Sequence, residues 1–311
     1  MTATLSTNTP IQIRGLTKTY ANGYQALKGV NLDIPMGMFG LLGPNGAGKS
    51  SLMRTIATLQ EASEGTIQWG DIDVLQEKVK VRQVLGYLPQ SFGVYPGVSA
   101  EKLLDHFAAL KGITNGKERK ELVKHLLEQV NLHEARDRAV SGFSGGMRQR
   151  FGIAQALVGD PRLVIVDEPT AGLDPAERVR FLNLLSEISE RAAIILSTHI
   201  VEDVSELCPQ MAVLIAGEIR ATGQPADLMD QLAGKVWRIQ IKRDQLPSYE
   251  ENYQVLSTRF FMGDIIARIY SKADPGAGFE VVEPDLEDVY FCVMKQIPAL
   301  QSSVIRNAVV S

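Results

Sequence analysis

The sequence predicts an α/β fold built around a parallel sheet, and three observations carry that prediction. A short apolar run, Met38-Phe39-Gly40-Leu41-Leu42, feeds a glycine-rich loop and then a helical pattern. Strand-sized and helix-sized apolar patterns alternate from Leu163 to Ala216. Between these two parts, over about 91–155, the apolar spacing is mostly helical, as expected of a helical insertion between core strands. Such βα alternation argues for a parallel sheet that takes its ligands at the carboxyl ends of its strands.

Taken in order, residues 11–20 and 26–34 alternate apolar and polar side chains and predict a small antiparallel sheet. The loop that follows, Gly43-Pro44-Asn45-Gly46-Ala47-Gly48-Lys49-Ser50, has the spacing G-x-x-x-x-G-K-S. Its glycines let backbone N–H groups turn inward around a phosphate chain, where a Cβ would crowd the anion. Lys49 can then reach the β- and γ-phosphates of a nucleotide, and the Ser50 hydroxyl can bind Mg2+. Leu52, Met53, Ile56 and Leu59 recur at helical spacing behind the loop, which puts the anion at a helix N-terminus. A strand and tight turn are expected at 65–71, and a strand at 84–88 ending in Pro89-Gln90. Helices are expected at 100–110 and 117–130. The alternation then resumes with strands at 163–166, 193–197 and 211–216 and helices at 176–191 and 202–207.

Around Gly234 the character changes. Residues 236–241, 255–261 and 265–270 read as strands with short turns, and 285–294 as a closing helix behind Pro284. The expected organisation is a flexible start (1–10), a nucleotide-binding domain (11–233) and a small α+β accessory domain (234–311).

Composition narrows the function classes. With 32 Lys and Arg against 36 Asp and Glu, the net charge of −4 gives no electrostatic footprint for nucleic acid. Cys208 and Cys292 lie far apart without metal-ligand spacing and read as reduced core residues, as in a cytoplasmic protein. The polar opening offers no signal-peptide core, and no apolar run approaches the roughly 20 residues that span a bilayer. Any membrane role is therefore expected to come through a partner.

Two further stretches carry chemistry. Leu163-Val164-Ile165-Val166-Asp167-Glu168 is an apolar strand ending in two acids. Beside a phosphate loop, Asp167 would supply a Mg2+ partner, directly or through water, and Glu168 could polarise an attacking water. Phe143-Ser144-Gly145-Gly146-Met147 precedes an apolar helical pattern through Ile153, Ala156 and Leu157. A helix cap accounts for Ser144. The two glycines that follow weaken a first turn unless something must approach closely, so an anion-binding helix start is expected.

With these residues in order, and with Gln90 after a strand, Ala171-Gly172-Leu173-Asp174, and a lone His199 after a strand, residues 11–225 resemble the nucleotide-binding subunit of an ATP-binding cassette (ABC) transporter. The resemblance implies a P-loop RecA-like core with an N-terminal antiparallel β subdomain and a helical signature subdomain. It implies ATP and Mg2+ as cofactors, with Asn45, Gly46, Ala47, Gly48, Lys49, Ser50 and Ser51 on the phosphates. Tyr20 would stack on adenine, with Tyr24 as the alternative. Gln90 would sense Mg2+ and the lytic water, with Phe92 and Tyr95 passing its shifts to a membrane partner. Glu168 would be the catalytic base, Asp174 the D-loop aspartate, and His199 the switch histidine on the γ-phosphate. Ser144, Gly145 and Gly146 match the signature that serves the ATP of the opposite subunit. That subunit, identical or a sister cassette, would bind head to tail, and integral-membrane permease subunits would place the chain at the inner face of the cell membrane.

The signature departs from the common Leu-Ser-Gly-Gly-Gln at both ends, with Phe143 first and Met147 last. Both changes look like a branch of exporters for drugs, lipids or polysaccharides, as does the stretch Glu283-Pro284-Asp285-Leu286-Glu287-Asp288-Val289-Tyr290. Two other classes are weighed against this one: a non-transport ABC ATPase acting on ribosomes or DNA, and a phosphotransferase. The first usually carries coiled coils or two cassettes and is disfavoured by the acidic charge; the second needs no signature for a second subunit.

Overall fold

The computed structural model describes residues 9–90, 93, 96–170 and 173–300. Phe92, Tyr95, Ala171, Gly172, and most of the expected flexible start lie outside the described residues. β1 (Ile11–Thr19) and β2 (Gln25–Ile34) pair antiparallel, with Ile11 opposite Ile34 and Ile13 opposite Leu32. Their alternation buries Ile11, Ile13 and Leu16 and leaves the intervening polar side chains outside. β3 (Gly37–Leu42) leaves this hairpin for the core, while β4 (Glu64–Trp69) and β5 (Ile72–Asp73) return to it. The first sheet thus has the order β2-β1-β4-β5.

The core sheet collects β3, β6 (Leu85–Leu88), β7 (Leu163–Asp167), β8 (Ala193–Thr198), β9 (Gln210–Ile215) and β10 (Glu218–Gly223). Its order is β10-β9-β3-β8-β7-β6, and every pair is parallel except β10 with β9. Both faces are covered, so β7 and β8 are buried at every position and read as continuous apolar runs rather than alternating ones. Register places the chemistry. Leu42 lies opposite Thr198 and Asp167 opposite Ser197, so the chain leaves β3, β7 and β8 side by side at one edge of the sheet.

Between β6 and β7 stand the helices Ala100–Leu110, Gly116–Gln129 and Gly145–Ala156, the expected helical insertion. Two local expectations change. The helix after the phosphate loop ends at Ile56; Thr58 turns left-handed (φ 60°) and leaves Leu59 exposed, off the helical stripe. A short helix, Lys78–Val84, occupies the approach to β6, so the strand begins at Leu85. Only Val81 of that helix is buried, too little apolar periodicity for its sequence to announce it.

The last strands, β11 (Val236–Ile241), β12 (Gln254–Phe261), β13 (Asp264–Tyr270) and β14 (Glu280–Val281), form an antiparallel sheet of order β12-β13-β11-β14. The closing helix, Leu286–Met294, starts with a capping box between Asp285 and Asp288. Asp288 is fully buried and also accepts from Arg268 Nε on β13 at 2.8 Å. On its other side the helix sends Leu286, Val289 and Cys292 into the same core as Val204, Cys208 and Leu228. This helix therefore fastens the C-terminal sheet to the helices Val201–Leu207 and Pro225–Asp230.

Removing one partner of a buried pair costs on the order of 3 kcal/mol, so Asp288→Ala should loosen this helix. Burial pushes the Cys292 thiol up to about 12 and keeps it inert. In Asp288→Ala, Cys292 should react with a thiol reagent at least roughly tenfold faster under native conditions, as read by mass spectrometry. Unchanged Cys292 labelling would show that Asp288 does not hold the helix.

Candidate nucleotide site

The loop after β3 folds into a cradle because its glycines permit it. Gly48 has φ 108°, and a Cβ there would stand 2.5 Å from the Ala26 carbonyl oxygen; one on Gly43 would stand 2.3 Å from that of Leu214. Neither position accepts a side chain. The turn closes through Ala47 N–H to Pro44 O at 3.1 Å, and Gly217 N–H donates to Ala47 O at 2.9 Å. A cleft of about 170 Å³ opens over the loop, lined by Asn45, Gly46, Ala47, Gly48, Lys49, Ser50, Ser51, Gln90 and Glu168, with Tyr24 at its rim. The helix Lys49–Ile56 points its N-terminus, and so the positive end of its dipole, into this cleft.

Lys49 is almost fully buried. Its Nζ donates to Gly43 O at 2.6 Å and lies 3.4 Å from Glu168 Oε1. The second carboxylate oxygen of Glu168, Oε2, lies 2.6 Å from His199 Nδ1. Glu168 thus joins the loop after β3 to the residue after β8. Its backbone is left-handed (φ 51°), a conformation that costs on the order of 1 kcal/mol outside glycine. The hydrogen bond from Glu168 N–H to Ser197 O, 2.8 Å, holds it there. This kink turns the chain at the end of β7, where Glu168 lines the cleft and Asp167 is buried one residue behind it.

Asp167 is 2% exposed, and its Oδ1 has no hydrogen-bond partner; the neighbouring Ser197 Oγ has none either. A buried, unpartnered carboxylate oxygen is costly in a protein interior. It suits a cation, and hard oxygen donors of this kind suit Mg2+.

The aromatic candidates separate. The Tyr20 hydroxyl is tied to Ser51 Oγ at 2.9 Å and donates to Gln60 Oε1 at 3.1 Å, while Lys18 Nζ sits 5.3 Å from its ring centroid. Tyr24 is half exposed on the cleft itself, and its hydroxyl donates to Gly46 O at 3.2 Å.

Ser144, Gly145 and Gly146 do not line this cleft. Ser144 caps the helix Gly145–Ala156 by accepting from Met147 N–H at 3.2 Å, and Ser144 and Gly145 face outward. Phe143 is buried edge-on against Phe151, so the unusual first residue of the motif anchors the helix rather than facing a ligand. Asp174 is likewise exposed and caps the helix Pro175–Ser189 through Glu177 N–H at 2.8 Å. What sequence reasoning missed is a buried network behind these loops, in which Asp203 accepts from both Thr170 and Arg178. Its one sequence signal was an acid on the helix that follows His199.

The comparisons with known proteins agree with this geometry. The family profile described as ABC transporter matches residues 27–171. The chain is 32% identical over 301 residues to the uncharacterized ABC transporter ATP-binding protein YxlF of Bacillus subtilis, covering 91% of this chain and 99% of that one. It is 32% identical to the Nod factor export ATP-binding protein I of Cupriavidus metallidurans, over 90% of this chain and 95% of that one. Among solved structures, the dimeric bacterial ABC transporter cassette MJ0796 superposes with a TM-score of 0.64 at 27% identity, covering 69% of this chain and 98% of that one. An identity of 32% to YxlF over 91% of this chain, on a fold that superposes on a solved ABC cassette, shows that the chain belongs to the ATP-binding proteins of ABC transporters.

Proposed function

We propose that this chain hydrolyses ATP and that its closing and reopening around the nucleotide drives export through separate integral-membrane permease subunits. One observation supports the chemistry best: the Glu168 carboxylate bridges Lys49 and His199 beside the phosphate cradle. ATP phosphates would replace Glu168 as the counter-charge of Lys49. The freed carboxylate would then orient and deprotonate the attacking water, with His199 on the γ-phosphate. Mg2+ would neutralise charge on the β- and γ-phosphates, held by Ser50, Asp167 and Gln90, and the orphaned Asp167 Oδ1 favours such a role. Adenine would stack on Tyr20 or Tyr24, each within reach of the loop.

The outward-facing Ser144, Gly145 and Asp174, with the half-buried Gly146 beside them, favour a composite site. A second cassette bound head to tail would bring its signature onto the ATP held by the Lys49 loop. The dimeric state of the solved cassette supports this arrangement, and the export function named for one relative supports the direction. Among the described residues no helix is long and apolar enough to cross a membrane, in keeping with a chain that works at the membrane's inner face through the permease. Residues 234–300 would form an accessory unit of this machine.

Glu168→Gln should keep ATP binding and lower turnover on the order of 10²-fold or more, because the amide fits the space but cannot take the proton. Lys49→Ala should instead lower nucleotide affinity as well as turnover. Calorimetry with steady-state hydrolysis separates the two, and near-normal turnover in Glu168→Gln would assign the base elsewhere.

Mixing Lys49→Ala with Ser144→Arg tests the composite site. Homodimers of either variant have two broken sites, whereas a mixed dimer keeps one intact Lys49 loop opposite one intact Ser144. ATP occlusion should reappear at about one site per cross-linked mixed dimer. Mixed dimers that occlude no ATP would show the head-to-tail assignment to be wrong.

A further inference from the structure

The chemistry proposed above makes no use of Asp203, although it is a fully buried carboxylate close behind the site. Three segments meet on it. Thr170 Oγ1 donates to Asp203 Oδ2 at 2.6 Å, Arg178 Nε donates to Oδ1 at 2.8 Å, and Arg178 Nη2 lies 2.6 Å from the same oxygen.

Each segment carries a functional residue. Thr170 follows Glu168 and Pro169 in the turn after β7 and is itself buried. Arg178 stands one turn into the helix capped by Asp174, and its N–H bonds Asp174 O at 2.9 Å. Asp203 belongs to the short helix Val201–Leu207 that begins just after His199 and has no side-chain cap of its own. The segments bearing the base, the partner-facing aspartate and the switch histidine therefore share one buried anion.

An ion pair placed only for stability could join any two elements. Here the three joined elements are those that carry Glu168, Asp174 and His199. Arg178 and Thr170 hold the two oxygens of Asp203 in a fixed fork, so displacement of the Asp174 helix pulls on both loops at once. A packed polar network is one physical carrier of coupling between sites, and a double-mutant cycle measures how much it carries.

We propose that Asp203 is a positioning residue that couples the partner-facing Asp174 segment to Glu168 and His199. This inference rests on the ATPase reading above. In it, Asp203 sets turnover and leaves nucleotide affinity to the loop after β3.

The test uses the full-length chain with Asp203→Asn, which keeps the shape and loses the charge, and Thr170→Val, which removes only the bond to the turn bearing the base. Thermal melts report folding, calorimetry reports ATP affinity, and steady-state kinetics report kcat per folded molecule. Asp203→Asn should lower kcat about tenfold or more and Thr170→Val about threefold or more, each with ATP affinity within about twofold of wild type. In a double-mutant cycle, Asp203→Asn combined with Asp174→Ala should lose less than the product of the single losses. Wild-type kcat in both folded variants, ATP affinity that falls as far as kcat, or strictly multiplicative losses would each overturn the inference and leave the ATPase reading standing. A wild-type chain that hydrolyses no ATP would overturn that reading and this inference with it.

Discussion

The adjacency of β3, β8 and β7 in one parallel sheet is the constraint on which the rest of the site depends. Parallel strands in register send their next residues out of the same edge, so Gly43, His199 and Glu168 emerge within reach of one another although they are far apart in sequence. β7 and β8 are buried at every position, and close packing of their side chains against the layers on both faces holds that register. The loop after β3, the kinked acid pair and the Lys49–Glu168 ion pair in the cleft are all built on this edge.

The site is also a place where the fold accepts local cost. Glu168 takes a left-handed backbone, Asp167 keeps an unpartnered buried oxygen, and Lys49 is desolvated beside Glu168. Each is unfavourable alone in a protein interior. Together they fit the proposed binding of a polyanion and a cation. By contrast, Asp203 and Asp288 are buried charges already satisfied by Arg178 and Arg268, and both lie at joints between elements rather than at the cleft.

Much of this was legible in the sequence because it is local. The glycine pattern fixes the cradle, the apolar run ending in Asp167 and Glu168 marks β7, and Ser144 reads as a cap from its own neighbours. Less legible were features set by tertiary packing. The helix Lys78–Val84 has a single buried residue, and Leu59 keeps helical spacing but falls after a left-handed turn. The Asp203 network joins residues 25 and 33 positions apart, so no window along the chain contains it. Phe143 reads as an oddity of a motif in sequence and as a core residue against Phe151 in space.

The central claim is that the Lys49 ammonium exchanges the Glu168 carboxylate for nucleotide phosphate. A structure of the wild-type chain with Mg2+ and a non-hydrolysable ATP analogue measures this directly. The account predicts that Lys49 Nζ leaves Glu168 for the β- and γ-phosphates, that Asp167 reaches the metal directly or through one water, and that Glu168 faces the γ-phosphate. Phosphates bound elsewhere, or Lys49 still paired with Glu168 beneath a bound nucleotide, would contradict it.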